Sequence, residues 1–253
     1  MKRALITGAS SGLGAEYARQ LAATGADLVL VARDRDALEK LAQQLRRVYD
    51  VEVEVLAVDL LKRRQRTKVE ERLVDADRPI GILVNNAGFG LPLAFERNDI
   101  DDEVRHLHLH VEVPMRLTHA ALQPMLARGN GRIINVASVA GFIPRSTYGA
   151  CKGWLISFSR WANDRYAPQG VTVTAVCPGF THTGFHERMG LLPGREGVSP
   201  GMWLEARDVV AESLRDAARG KAVSIPSFRY KALVALTRLV PASLAAKVGA
   251  QGR

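Results

Sequence analysis

Residues 4–14, Ala4-Leu5-Ile6-Thr7-Gly8-Ala9-Ser10-Ser11-Gly12-Leu13-Gly14, run from a short apolar strand through a glycine-rich turn into a helical pattern that continues to about Thr24. Each glycine has a physical use there. Gly8 permits a tight bend, Gly12 lets another group approach the backbone, and Gly14 lets helix and strand pack closely. The N–H groups that open a helix lack intrahelical partners, so such a turn offers donors to an anion such as a pyrophosphate. Ser10, Ser11 and Leu13 share the turn and are candidate contacts. The spacing is GxxxGxG, not the GxGxxG of the commonest dinucleotide fold. A glycine-rich turn without a ligand is the competing reading of the motif alone. The strand–turn–helix context favours a nucleotide.

The alternation begun at residue 4 continues along the chain. Apolar strands are expected at Asp27–Ala32, Val51–Val58, Ile80–Val84, Arg132–Val136 and Val171–Val176, with a short last one at Ala222–Ile225. Helices are expected between them, at about Asp34–Val48, Lys62–Val74, Asp101–Ala127 and Thr147–Ala167. Most strands are continuous apolar runs, which implies burial on both faces and a parallel sheet. Strands alternating with helices give a doubly wound α/β sheet.

Composition bounds the rest. With 253 residues, 47% hydrophobic and 24% charged, the chain is large enough for one sizeable α/β core. Cys151 and Cys177 form no disulfide framework, so a reducing, cytoplasmic location is the simplest expectation. The apolar stretch after Lys2 and Arg3 is too short for a signal peptide, and no run approaches the ~18 residues of a membrane span. The net charge of +9 is uneven: residues 217–253 carry seven basic side chains and no acidic one, against 28 basic and 26 acidic before them. A nucleic-acid footprint would spread over the main body, so nucleic acid is not an expected partner.

Further motifs follow in order: Asp59-Leu60, Asn85-Asn86-Ala87-Gly88, Ser138, Tyr148-Gly149-Ala150-Cys151-Lys152, and Pro178-Gly179 followed by Thr183. With the glycine turn, this set resembles the short-chain dehydrogenase/reductase family over nearly the whole chain. The resemblance implies a Rossmann-like single domain spanning residues 1–253, and a nicotinamide cofactor. It further implies that Asp59 and Leu60 face the adenine, that Asn85, Asn86, Ala87 and Gly88 line the cleft, and that Pro178, Gly179 and Thr183 lie near the nicotinamide. Choice of cofactor is read about 20 residues past the turn. An acidic side chain there bonds ribose hydroxyls, and an arginine pairs with a 2′-phosphate. Arg33 stands at that position, with Asp34 next. This favours NADP(H); NAD(H) stays open if Arg33 only stacks on the adenine.

Tyr148 and Lys152 are four residues apart on an expected helix and so share a face. An alcohol–carbonyl proton transfer near neutrality asks a tyrosine of pKa about 10 to fall by roughly 3 units, about 4 kcal/mol. An ammonium about 4 Å away supplies a term of that size at an effective dielectric near 20. The resemblance adds that Lys152 holds the nicotinamide ribose and that Ser138 bonds the reacting oxygen.

Two departures from the family pattern stand out. The loop from Ser138 to Tyr148 is shorter than in many members, which should reshape the substrate mouth. The family's usual asparagine in the helix before strand five, part of a proton relay, is replaced by His110. Pro114 cannot donate to the His110 carbonyl, which should leave that carbonyl free for a relay water. His110 can also shuttle protons itself, with an ordinary pKa near 6.5, or simply pack in a helix kink. His106 shares its face and His108 does not, and with no nearby cysteine or carboxylate completing a set, no metal is expected.

The loop-rich segment at about 180–203 carries Phe180, Phe185, His186, Met189, Leu191, Leu192, Met202 and Trp203. Its apolar character suits a hydrophobic carbonyl or secondary alcohol, and suits a lid packed on the core equally well. The basic tail, about 217–253, carries Leu233, Leu236 and Val240 at helical spacing. Docking on the body or on a partner subunit is favoured over a membrane surface, because three anchors are few. The resemblance favours a homo-oligomer built on the helix of Tyr148 and the one before strand five. The expected activity is hydride transfer between cofactor and substrate, with a weakly active nucleotide-binding scaffold as the alternative.

Overall fold

The structure is a computed structural model that describes residues 3–143, 146–184 and 199–237. Phe185, His186, Met189, Leu191, Leu192 and Val240, named above, lie outside those residues.

Seven strands form one parallel sheet: β1 Arg3–Thr7, β2 Asp27–Ala32, β3 Val53–Ala57, β4 Ile82–Asn85, β5 Gly131–Val136, β6 Val171–Val176 and β7 Val223–Ser224, in the order β3-β2-β1-β4-β5-β6-β7. In the centre, Leu5 pairs with Val29 on one side and Leu83 on the other. Successive side chains of a strand point to opposite faces, and here both faces are covered. Ala4 and Ile6 join a core with Tyr17, Leu21, Leu38 and Leu45. Leu5 joins a second core with Leu73, Leu117 and Met125. This is why the strands read as apolar runs.

Helices α1 Gly12–Ala22 and α2 Arg35–Tyr49 cover the first face, and α3 Arg63–Val74 the second. The helix expected over 101–127 is instead α4 Ile100–Leu107 and α5 Val113–Ala127, joined by one π-helical turn at His108–Glu112. The π turn puts Pro114 in the first turn of α5, where a missing N–H costs nothing. α6, Thr147–Tyr166, carries Tyr148 and Lys152. α7, Ala206–Ala218, was not expected; it packs on α1, where Tyr17 and Ser213 share a 2.6 Å hydrogen bond. α8 is Phe228–Thr237. Among the described residues, no helix is long and apolar enough to cross a membrane.

Candidate active site

A cavity of about 1180 Å³ lies across the carboxyl ends of the strands, over the crevice where the strand order reverses between β1 and β4. At one end its wall is the β1–α1 turn: Gly8, Ser10, Ser11, Gly12 and Leu13. Gly8 and Gly12 adopt φ of 67° and 55°, which favours glycine. Gly14 stands behind the wall, where a methyl group would come within 2.1 Å of the Gly8 carbonyl oxygen. Ser11 is the N-cap of α1 but makes no side-chain cap bond, so the helix N-terminus is left to whatever occupies the cavity. Thr183 packs against Gly12, bringing the segment after β6 over the turn.

Asn85 requires a correction. Its side chain turns away from the cavity and donates to Thr118 Oγ1 at 3.3 Å and Asn135 Oδ1 at 2.9 Å. Strand alternation puts its neighbour Asn86 on the wall, with Ala87 and Gly88. Asn86, expected on the cleft with the rest of the run to Gly88, donates to the carbonyls of Thr7 and Gly8 at 3.0 and 3.2 Å, holding the glycine turn. Thr7 Oγ1 returns the contact by accepting from the backbone N–H of Asn86 and of Ala87, at 2.9 and 3.0 Å.

Asp59 and Leu60 line the same end, as do Arg33 and Asp34. The last two differ in what they are free to do. The Asp34 carboxylate caps α2 by accepting from Ala37 N–H at 3.0 Å. Arg33 is exposed and has no hydrogen bond or ion pair among the described residues.

In the middle of the cavity stand Ser138, Tyr148 and Lys152. Ser138 follows β5, accepts from Ala140 N–H at 3.1 Å, and shares a hydrogen bond with Tyr148. Lys152 is buried; its Nζ donates to the Val136 carbonyl at 2.7 Å and lies 5.5 Å from the centre of the Tyr148 ring. The expected downward pull of Lys152 on Tyr148 does not dominate in this chain alone. Burial pushes the Tyr148 hydroxyl up to about 12, against the lowering effect of the Ser138 bond. Burial also brings Lys152 down to about 8. The ammonium points at a carbonyl, and the low-polarity surroundings penalise both charged forms.

Pro178 and Gly179 line the other end, with Phe180, Met202, Tyr230 and Leu233, while Thr183 reaches back to the turn. His110 lies on the wall between the two ends. Its Nε2 lies 2.7 Å from the Phe89 carbonyl and 3.3 Å from Phe89 N–H, two contacts that ask opposite tautomers of the ring. Nδ1 is buried and has no partner among the described residues, as is true of Asn85 Oδ1. Both residues, with Lys152 and Pro114, border a second void of about 10 Å³. Burial and the nearby Lys152 hold His110 well below the usual histidine range, so it is neutral. A methyl group on Gly88 would meet the His110 ring at 2.5 Å, which explains that glycine. His106 packs against His110 with ring centres 4.3 Å apart and the rings tilted by 43°, and burial brings its pKa down to about 4.

The short chain dehydrogenase family profile matches residues 2–190. The chain belongs to the short-chain dehydrogenase family. It is an oxidoreductase of that family, whose members act on alcohol and ketone groups. An uncharacterized oxidoreductase of Staphylococcus saprophyticus is 34% identical over 185 residues, 72% of this chain and 79% of the relative. A short-chain dehydrogenase from Sphingobium yanoikuyae, solved in complex with NADPH, is 36% identical with a TM-score of 0.84, covering 94% of each chain. The bulky-bulky ketone specific alcohol dehydrogenase from Comamonas testosteroni is 34% identical with a TM-score of 0.80, covering 94% of this chain and 92% of that one. The cradle fits the family's nicotinamide dinucleotide: a left-handed glycine turn, an uncapped helix N-terminus and an unpaired arginine meet along one wall.

Proposed function

We propose that this short-chain dehydrogenase works as one nicotinamide-binding unit that interconverts an apolar ketone and its secondary alcohol, using NADP(H). The observation that carries the reaction is the shared location of Ser138, Tyr148 and Lys152 in one cavity, with Tyr148 hydrogen-bonded to Ser138. The same observation weighs against a scaffold that binds nucleotide without turnover. For the cofactor, the support is the contrast at β2: Asp34 is engaged as a cap, and Arg33 is free to meet a 2′-phosphate. The Sphingobium relative's NADPH agrees with this reading. For the substrate, the support is the apolar far wall formed by Phe180, Met202 and Leu233, together with the bulky ketones named for the Comamonas relative.

When bound, the nicotinamide supplies the hydride in reduction and takes it in oxidation. In reduction the Tyr148 hydroxyl gives its proton to the carbonyl oxygen, and its high pKa keeps it protonated for that role. In oxidation it must take the alcohol proton, and the Lys152 charge favours the tyrosinate that does so. Ser138 donates to the reacting oxygen. Lys152 also holds the ribose hydroxyls. Asp59, Leu60 and Ala87 flank the adenine end, and Pro178 and Thr183 the nicotinamide end. His110, neutral and with Nδ1 turned to the small void it shares with Lys152 and Asn85, stands in for the family's asparagine by holding a relay water there. The free, buried cysteines agree with a cytoplasmic setting. The exposed Trp161 on α6 and Met115 on α5 agree with a homo-oligomer built on those helices.

The test is oxidation of NADPH and of NADH by the purified chain over a panel of ketones graded from small to bulky. The proposal expects faster turnover with NADPH and with the bulkier apolar ketones. Turnover with neither cofactor on any ketone, in either direction, contradicts it.

A further inference from the structure

Tyr230 is 1% exposed and has no part in the chemistry above. It anchors α8, with Val234 one turn on, while Phe228, Leu233 and Leu236 of the same helix stay exposed. Its ring lies flat against Gly179: a methyl group there would come within 2.0–2.4 Å of three ring carbons. Its hydroxyl accepts from Phe180 N–H at 3.0 Å and donates to the Met202 carbonyl at 2.8 Å. A single oxygen thus joins two segments that leave the sheet at different points in the chain.

Those segments also meet each other. Leu204 N–H donates to the Phe180 carbonyl, and His182 N–H to the Leu204 carbonyl, each at 2.9 Å. Trp203 packs on the rings of Phe180 and His182, with centres 5.6 and 4.9 Å apart. The contact continues towards the reacting centre. The Pro178 carbonyl, next to Gly179, accepts from Val139 N–H at 3.0 Å and lies 3.5 Å from Ser138 Oγ. A shift of Gly179 and Phe180 therefore moves the support of Ser138.

We infer that Tyr230 is a positioning residue: its ring and hydroxyl clamp residues 179–183 to residues 200–204, and so fix where a bound carbonyl lies against Ser138 and Tyr148. The inference rests on the proposed carbonyl chemistry for what this wall faces. A phenylalanine at 230 keeps the ring over Gly179 but leaves a loop N–H and a loop carbonyl without their partner. That change loosens the wall locally and reaches the glycine turn only through Thr183, which packs against Gly12.

Tyr230→Phe in the full chain, followed by amide hydrogen exchange, NADPH titration and ketone kinetics, tests this. Exchange at Phe180–His182 and Met202–Leu204 should quicken roughly tenfold, with β1 and the body of α1 unmoved. The KM for ketone should rise several-fold more than kcat falls, with NADPH affinity retained. Unchanged exchange in the two segments overturns the clamp, and quickened exchange with an unchanged KM overturns its positioning role. If Tyr230→Phe lowers the melting temperature, Gly179→Ala is compared in the wild-type and Tyr230→Ala backgrounds. The clamp predicts that Gly179→Ala deprotects residues 179–183 only where the ring is present; equal deprotection in both overturns it. A wild type that turns over no ketone sinks the proposed function, while the exchange result still judges the clamp.

Discussion

At the β1–α1 end of the cavity the wall is mostly backbone, whereas at the α8 end it is mostly side chain. Gly8 and Gly12 leave no side chain between the main chain and a ligand, Gly14 lets α1 pack on the turn, and Asn86 and Thr7 hold the turn by bonding its carbonyls and the N–H groups beside it. At the far end Phe180, Met202, Tyr230 and Leu233 form the surface, fixed by contacts made over long sequence distances. A backbone wall recognises what every dinucleotide shares, and a side-chain wall can be rebuilt for a different carbonyl compound. Ser138, Tyr148 and Lys152 stand between them, so the backbone end suits a shared cofactor and the side-chain end a variable substrate.

One added methyl group at the first end should do more harm than three carbons removed at the second. Gly14→Ala drives a carbon into the Gly8 carbonyl, and the atoms it meets are backbone that cannot swing aside. Destabilisation near the top of the usual overpacking range, about 3 kcal/mol, is expected by chemical denaturation, with loss of cofactor binding. Leu233→Ala, at the exposed mouth, should leave NADPH binding alone and shift only the ketone KM. A tolerated Gly14→Ala breaks the comparison.

Arg33→Ala sharpens the account of the first end. NADPH affinity should fall roughly tenfold, the scale of one partly solvated charge-assisted bond, while NADH affinity stays level. Equal losses for both cofactors remove Arg33 from the 2′-phosphate.

His110→Asn should matter least. It keeps a small polar group beside the void, so turnover should stay within a few-fold of wild type. Because burial holds His110 and His106 below the histidine range, pH profiles should lack an inflection near the ordinary value of about 6.5. The sign for Tyr148 is opposite in the two directions. Its raised pKa keeps the acid form at neutrality, so reduction should be flat there and oxidation should climb as the pH rises. A histidine-like inflection in wild type that is lost in His110→Asn makes His110 a titrating shuttle.

The parts legible in the sequence were those that local physics dictates. β2 and β6 span the residues expected of them, Asp27–Ala32 and Val171–Val176, and the glycine turn and the Tyr148–Lys152 spacing carry their meaning within a few residues. Other parts depended on partners far along the chain. The choice of Asn86 over Asn85 turns on where the alternation of β4 meets the crevice. Gly88 and Gly179 are glycines because the rings of His110 and Tyr230 press on them, which no local pattern announces. The π turn at His108–Glu112 was hidden because Pro114 signals a break without saying how the chain absorbs it. The direction of the Tyr148 shift was missed because spacing sets the approach of a charge but not the depth of burial.

The central claim is that Tyr148 is the proton donor of a hydride-transfer enzyme. Tyr148→Phe keeps the ring against His106 and His110 and deletes the acid. With the best ketone of the panel, kcat should fall by about 10²–10⁴-fold, the usual contribution of a positioned acid, while NADPH still binds as in wild type. A variant that oxidises NADPH at the wild-type rate contradicts the account.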